Sequence, residues 1–169
     1  MRLLKLAFAS LAALVIGTSA AYAIDVNKHI AAPGQMLVVW AIASEFCSIK
    51  DWHPAVADCQ ESKEGDANFR TITLKDGRKI KEKLDASDDT SYSYEIVESP
   101  LPVKNYQAKL WVEPDERDPS RTVIHWDATF DANGKSDDEA KKTISDIFTA
   151  GLKGIKQKAM PPEGQEDKN

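Results

Sequence analysis

The stretch Phe46-Cys47-Ser48-Ile49-Lys50-Asp51-Trp52-His53-Pro54-Ala55-Val56-Ala57-Asp58-Cys59 decides most about this chain, because an apolar helical pattern, two cysteines and a Trp-His-Pro turn meet in it. The residue before a proline is pushed away from helical angles, so a brief helical turn carrying Trp52 ends before His53. Upstream, Val39, Ile42, Ala43 and Phe46 recur at helical spacing. Pro33 opens that helix, where its missing N–H costs nothing. A short strand over about residues 25–31 comes first. Downstream, as far as Phe130, apolar and polar residues alternate between turn signals, which reads as several antiparallel strands.

The two cysteines of the stretch are the only ones in the chain. Arg2 and Lys5, an apolar run over residues 6–16 and the small-x-small site Ala21-Tyr22-Ala23 form a signal peptide pattern over residues 1–23. The run is shorter than the roughly 20 apolar residues a membrane span needs, and it ends in Gly17, Thr18 and Ser19. An exported protein, periplasmic after cleavage, is therefore expected, and in an oxidising compartment Cys47 and Cys59 are expected to pair. Two buried thiols are the alternative; a metal pair lacks further Cys or His at ligand spacing. Losing Arg2 and Lys5 makes the formal charge of −5 more negative, which disfavours nucleic acid and anionic membrane surfaces as partners.

The last element opens at Ser136-Asp137-Asp138-Glu139, a capping box with Ser136 as N-cap and Glu139 reaching back. Ala140, Ile144, Ile147, Phe148, Gly151, Leu152, Ile155 and Ala159 form one apolar stripe, and Pro161-Pro162 stops the helix. Residues 24–160 thus read as one domain and 161–169 as a disordered polar tail. Strand, two short helices, a run of strands and one long helix make an α+β fold: a curved antiparallel sheet with a long amphipathic helix packed across it. Gly151 on the stripe lets that helix approach the sheet or a ligand closely.

Asp76-Gly77 is the clearest hairpin turn, and its loop length decides which side chains share a face. A two-residue loop sets Lys75 opposite Arg78 and Arg70 beside Lys83, like charge against like. A three-residue loop with a left-handed Gly77 sets Arg70 opposite Glu82 and Ile72 opposite Ile80, leaving Lys79, Lys81 and Lys83 to water. The second register is expected. Glu82 then stands on an otherwise apolar face, a costly place for a carboxylate unless Arg70 pairs with it. The pair serves as an internal strut of the wall, as a polar anchor for a ligand or, the weakest of the three readings, as an acid-base group. Tyr92, Tyr94 and Ile96 share a face, as do Tyr106, Ala108, Leu110 and Val112, and Ile124, Trp126, Ala128 and Phe130. These stripes serve a core, or a cavity with a few polar points.

The expected ligand-binding set is Trp52 and His53 at a cavity mouth, Arg70 and Glu82, Tyr94 and Tyr106 on the sheet, and Trp126 deeper in. Residues 99–104, with Pro100 and Pro102, are expected to form the opposite lip. His125 falls on the outer parity of its strand, and His29 has no evident partner. Asp131-Ala132-Asn133-Gly134-Lys135 begins like a calcium loop but has Ser136 where glycine is required, and reads as a turn. The acidic residues 85–89 read as a solvated loop. A Gly-rich phosphate loop, an H-E-x-x-H helix and a G-x-S-x-G turn are all missing from the sequence, which argues against mainstream hydrolase and nucleotide chemistry. No catalytic residue, metal or cofactor is assigned.

Ala32-Pro33, Val39-Trp40 with Phe46, Trp52-His53-Pro54, Arg70-Thr71-Ile72-Thr73-Leu74 with Asp76-Gly77, Ile80 and Glu82-Lys83-Leu84, Leu101-Pro102-Val103 with Asn105-Tyr106, Trp126, and Phe148-Thr149-Ala150-Gly151-Leu152 together carry a resemblance. The chain resembles the SRPBCC superfamily, the START and birch-pollen-allergen group, and within it the polyketide cyclase/dehydrase-like branch with its periplasmic MxaD-type proteins. Val39-Trp40 stand one helical turn further from Pro33 than in that family. The resemblance implies a helix-grip fold, with a cavity between sheet and C-terminal helix, and binding of a small, largely hydrophobic molecule more readily than a reaction. A cyclase/dehydratase-like enzyme is the catalytic alternative it leaves open. The MxaD-type branch implies a further role, assistance to a periplasmic methanol dehydrogenase and its cytochrome acceptor.

Overall fold

A computed structural model describes residues 23–161. The expected signal segment, except Ala23, and the expected tail beyond Pro161 lie outside the described residues. The elements run β1 (Ile24–Pro33), α1 (Met36–Trp40), α2 (Ile49–Trp52), β2 (Val56–Glu64), β3 (Ala67–Leu74), β4 (Lys79–Ser87), β5 (Ser91–Glu98), β6 (Val103–Asp115), β7 (Asp118–Ala132) and α3 (Asp137–Ala159). All neighbouring strands are antiparallel, in the spatial order β1-β7-β6-β5-β4-β3-β2. The concave side of this sheet holds α3, which rests mainly on β1 and β7.

The β3–β4 hairpin has the three-residue loop. The Leu74 N–H donates to the Arg78 carbonyl at 2.8 Å, Gly77 takes φ +85°, and Arg70 stands opposite Glu82. Lys81 and Lys83 reach outward to Glu64 and Glu95. The capping box of α3 is complete, with the Glu139 N–H donating to Ser136 Oγ and the Ser136 N–H donating to the Glu139 carboxylate. Ala140, Ile144, Phe148, Gly151, Leu152 and Ile155 are buried, so the stripe faces the sheet as its spacing predicts.

The first helix differs from expectation. Pro33 does not open it but ends β1, and Gly34 at φ +110° turns the chain before α1 begins at Met36. Five residues later α1 stops. The Ile42 and Ala43 N–H groups bond three residues back, to Val39 and Trp40, and the chain continues as turns. Val39, Ala43 and Phe46 are buried all the same, because tertiary packing rather than a continuous helix holds them. The disulfide Cys47–Cys59, with Cα atoms 5.4 Å apart, accordingly ties a turn, not a helix end, to the interior of β2. The acidic stretch is also partly corrected, since β4 pairs with β5 out to Ser87 and only residues 88–90 form the loop.

Candidate functional site

Between the sheet and the N-terminal half of α3 lies a cavity of about 1080 Å³. Its walls are apolar: Ile72 and Ile80 from the hairpin, Ile96 from β5, and Ile144 and Phe148 from α3. Phe148 lies flat on Trp126, ring centroids 4.3 Å apart, which joins helix and sheet at the inner end. The rim consists of the hairpin tip with Asp76 and Arg78, residues 99–102, the Asn133–Lys135 turn and the exposed face of α3 with Lys142 and Asp146. Of the expected lip, residues 99–102 line this rim, and residues 103–104 do not.

Five of the expected residues line this cavity: His53, Glu82, Tyr94, Tyr106 and Trp126. Arg70 stands behind Glu82, wholly buried, its Nε donating to Glu82 Oε2 at 2.5 Å. Its Nη1 donates to the Phe46 carbonyl, and its guanidinium lies 4.0 Å from the Phe46 ring centroid and 5.0 Å from that of Tyr94. Arg70 Nη2 and the Tyr92 hydroxyl find no protein partner among the described residues. Burial alone lowers the guanidinium, and the charge of Glu82 reverses this, so Arg70 stays protonated. Burial pushes the Glu82 carboxyl above its ordinary range, against the pull of Arg70. Tyr94 and Tyr106 are pushed well up, chiefly by burial, so both phenols remain neutral. The Tyr94 hydroxyl accepts the Trp126 indole N–H at 2.9 Å.

Trp52 and His53 do not form the mouth. Trp52 lies beneath α3 on its far side, its indole N–H donating to Ser48 Oγ at 3.1 Å, and lines a shallow groove with Pro54 and Gly154. The α2 turn that carries it is pinned by α3, where Gly154 has no side chain to keep the helix from the Trp52 carbonyl. His53 is 5 % exposed, at the inner end beside Trp126. Its Nδ1 accepts the Ala55 N–H at 3.2 Å, so Nε2 carries the proton and donates to the Ile147 carbonyl at 3.1 Å. Burial lowers its basicity more than the Ile147 bond raises it, and the ring is a neutral strut between the Pro54 turn and α3. His125, on the outer face, stacks on Trp111 and bonds Glu113 at 2.9 Å, while His29 lies across from it.

The charged rim residues Lys142 and Asp146 were not legible as such, because on a helix they look like any solvated face. The closeness of Gly154 to Trp52 has no local signal either.

A family model described as polyketide cyclase / dehydrase and lipid transport matches residues 23–160. The chain belongs to that family. No curated protein matches it. Among solved structures, XoxI from Bacillus cereus is 27 % identical at a TM-score of 0.74, covering 80 % of this chain and 94 % of its own. The Zhui aromatase/cyclase from Streptomyces shares the fold at 14 % identity and a TM-score of 0.66, with 82 % and 94 % covered. A START superfamily protein from Mycobacterium smegmatis does so at 11 % identity and a TM-score of 0.65, with 80 % and 96 % covered. The helix-grip architecture of this polyketide cyclase/dehydrase and lipid transport family member is thus the START one.

Proposed function

We propose that this protein is a periplasmic binding module that holds a small, largely hydrophobic molecule between the sheet and α3. The observation that carries this reading is the cavity itself, about 1080 Å³ with apolar walls and a few polar groups at its inner end, at the upper end of the size range of ligand sites. An enzymatic role has less support. Glu82 is tied to Arg70 and both His53 nitrogens are engaged, so neither is poised as a free base. Mass spectrometry of small molecules retained by the purified mature protein tests the proposal. A bound apolar species supports it; a protein that retains none and binds no apolar probe overturns it.

A second reading, an accessory protein of methanol oxidation that meets a periplasmic dehydrogenase or its cytochrome, draws on the MxaD-type resemblance. It also draws on Leu37 and Val38, which stand 62 % and 66 % exposed side by side on α1. Co-purification from periplasm that fails with Leu37→Ser/Val38→Ser would favour it.

A further inference from the structure

The inner end of the cavity has a donor-seeking group. Glu82 commits Oε2 to Arg70, and its Oε1 has no protein partner among the described residues although the side chain lines the cavity. Around it stand the hydroxyls of Tyr94 and Tyr106, held neutral by burial and by the charge of Glu82 itself. Of the other polar groups that line this end, His53 is engaged at both nitrogens and the Trp126 indole N–H on Tyr94; the unpartnered Arg70 Nη2 and Tyr92 hydroxyl are buried behind the lining. A guest that reaches this end therefore meets one carboxylate oxygen able only to accept and phenols able to donate or accept.

Charge narrows the guest further. Arg70 and Glu82 are a net-neutral pair at the back of a low-dielectric site, so a carboxylate head adds an uncompensated negative charge and an ammonium head an uncompensated positive one. A neutral hydroxyl adds neither. It donates to Glu82 Oε1, a charge-assisted bond, and its own oxygen accepts from a phenol. The apolar remainder lies along Ile72, Ile80, Ile144 and Phe148 toward the rim.

Resting on the binding-module reading above, we propose that the cavity selects a hydrophobic alcohol or phenol, inserted hydroxyl first onto Glu82 and the Tyr94–Tyr106 pair, and discriminates against the matching carboxylate. A fatty acid is then the wrong cargo, and a hydroxylated ring or chain the right one.

The test titrates the mature protein with naphthalene, naphthol and naphthoate at neutral pH, following tryptophan fluorescence and confirming by calorimetry. Naphthol should bind roughly tenfold tighter than naphthalene, the effect of one charge-assisted hydrogen bond, and naphthoate weaker than either. Decanol and decanoate as competitors then show whether an aliphatic hydroxyl serves as well as an aromatic one. Glu82→Gln should erase most of the naphthol advantage and improve naphthoate binding, since Arg70 is left without its counter-charge. Tyr106→Phe, a change that keeps the ring, should weaken naphthol more than naphthalene and so narrow the gap between them. Naphthalene binding with no preference for naphthol, or naphthoate binding as tightly as naphthol, overturns the hydroxyl inference and leaves the binding module standing. Binding of none of the probes overturns both.

Discussion

Arg70 touches three parts of the molecule at once: Glu82 across the hairpin, the Phe46 carbonyl in the turn before the disulfide, and the faces of Phe46 and Tyr94. Removing it strands a buried carboxylate, so Arg70→Met should cost about 3 kcal/mol in urea unfolding, and pairing it with Glu82→Leu should recover part of that loss. The pH dependence has a definite sign. Burial holds the folded Glu82 above its ordinary 4.5, so the folded state binds the proton more readily than the unfolded one and stability falls as pH rises through that window. Without Arg70 the opposing pull is gone, and the loss in Arg70→Met should be largest at neutral pH and shrink as pH falls toward 4.5. A loss independent of pH would show that packing, not the stranded charge, dominates. His53 acts in the opposite sense. Its folded pKa is depressed below 6.5, so its contribution is present above that value and is lost as pH falls below it. His53→Asn should flatten the acid limb of a stability profile; an unchanged slope would assign that limb to other groups.

At the scale of elements, α3 is placed by what it lacks. A Cβ at Gly151 would come within 2.5 Å of the Trp126 ring and 2.7 Å of His53, and one at Gly154 within 1.8 Å of the Trp52 carbonyl oxygen. Alanine favours a helix over glycine by about 1 kcal/mol, but overpacking costs about 1 to 3 kcal/mol. Rings can tilt and a backbone carbonyl cannot do so without moving α2. Gly154→Ala should therefore lower the melting temperature more than Gly151→Ala, and the reverse order would mean that the α2 turn is softer than its contacts suggest. The bulge in β6 has a comparable role. Asn105, at φ +52° with its side-chain amide donating to Asp131 at 2.7 Å, shifts the pairing with β7 just ahead of Tyr106. A β-branched residue tolerates that angle poorly, so Asn105→Val should be destabilising where Asn105→Gly is nearly neutral, as read by thermal melting.

For the whole molecule, the disulfide anchors Cys47 to β2 directly after Phe46, whose carbonyl meets Arg70, and so braces the wall from which Glu82 faces the cavity. Unfolded protein should show no free thiol, and reduction should cost about 3 kcal/mol on the chain-entropy model. Ligand binding should quench Trp126 fluorescence and persist in His125→Ala, whose side chain is on the outer face; loss of binding in that variant would mean that the site is elsewhere. Much of this was legible from local signals. Asp76-Gly77 with its flanking charges favoured the three-residue hairpin register over the two-residue one, Ser136 and Glu139 set the start of α3 with Pro161 at its end, and the alternation of Tyr94, Tyr106 and Trp126 put them on the inner face. Each of these depends on residues a few positions apart or on strand parity, which the chain carries wherever it folds. The length of α1, the displacement of Trp52 from mouth to underside, the locking of both His53 nitrogens and the charged rim depend instead on where distant elements meet. They follow from α3 resting on β1 and β7 and approaching Trp52, His53 and Trp126 closely, and from α1 breaking into turns, a sum of contacts that no single stretch of sequence contains.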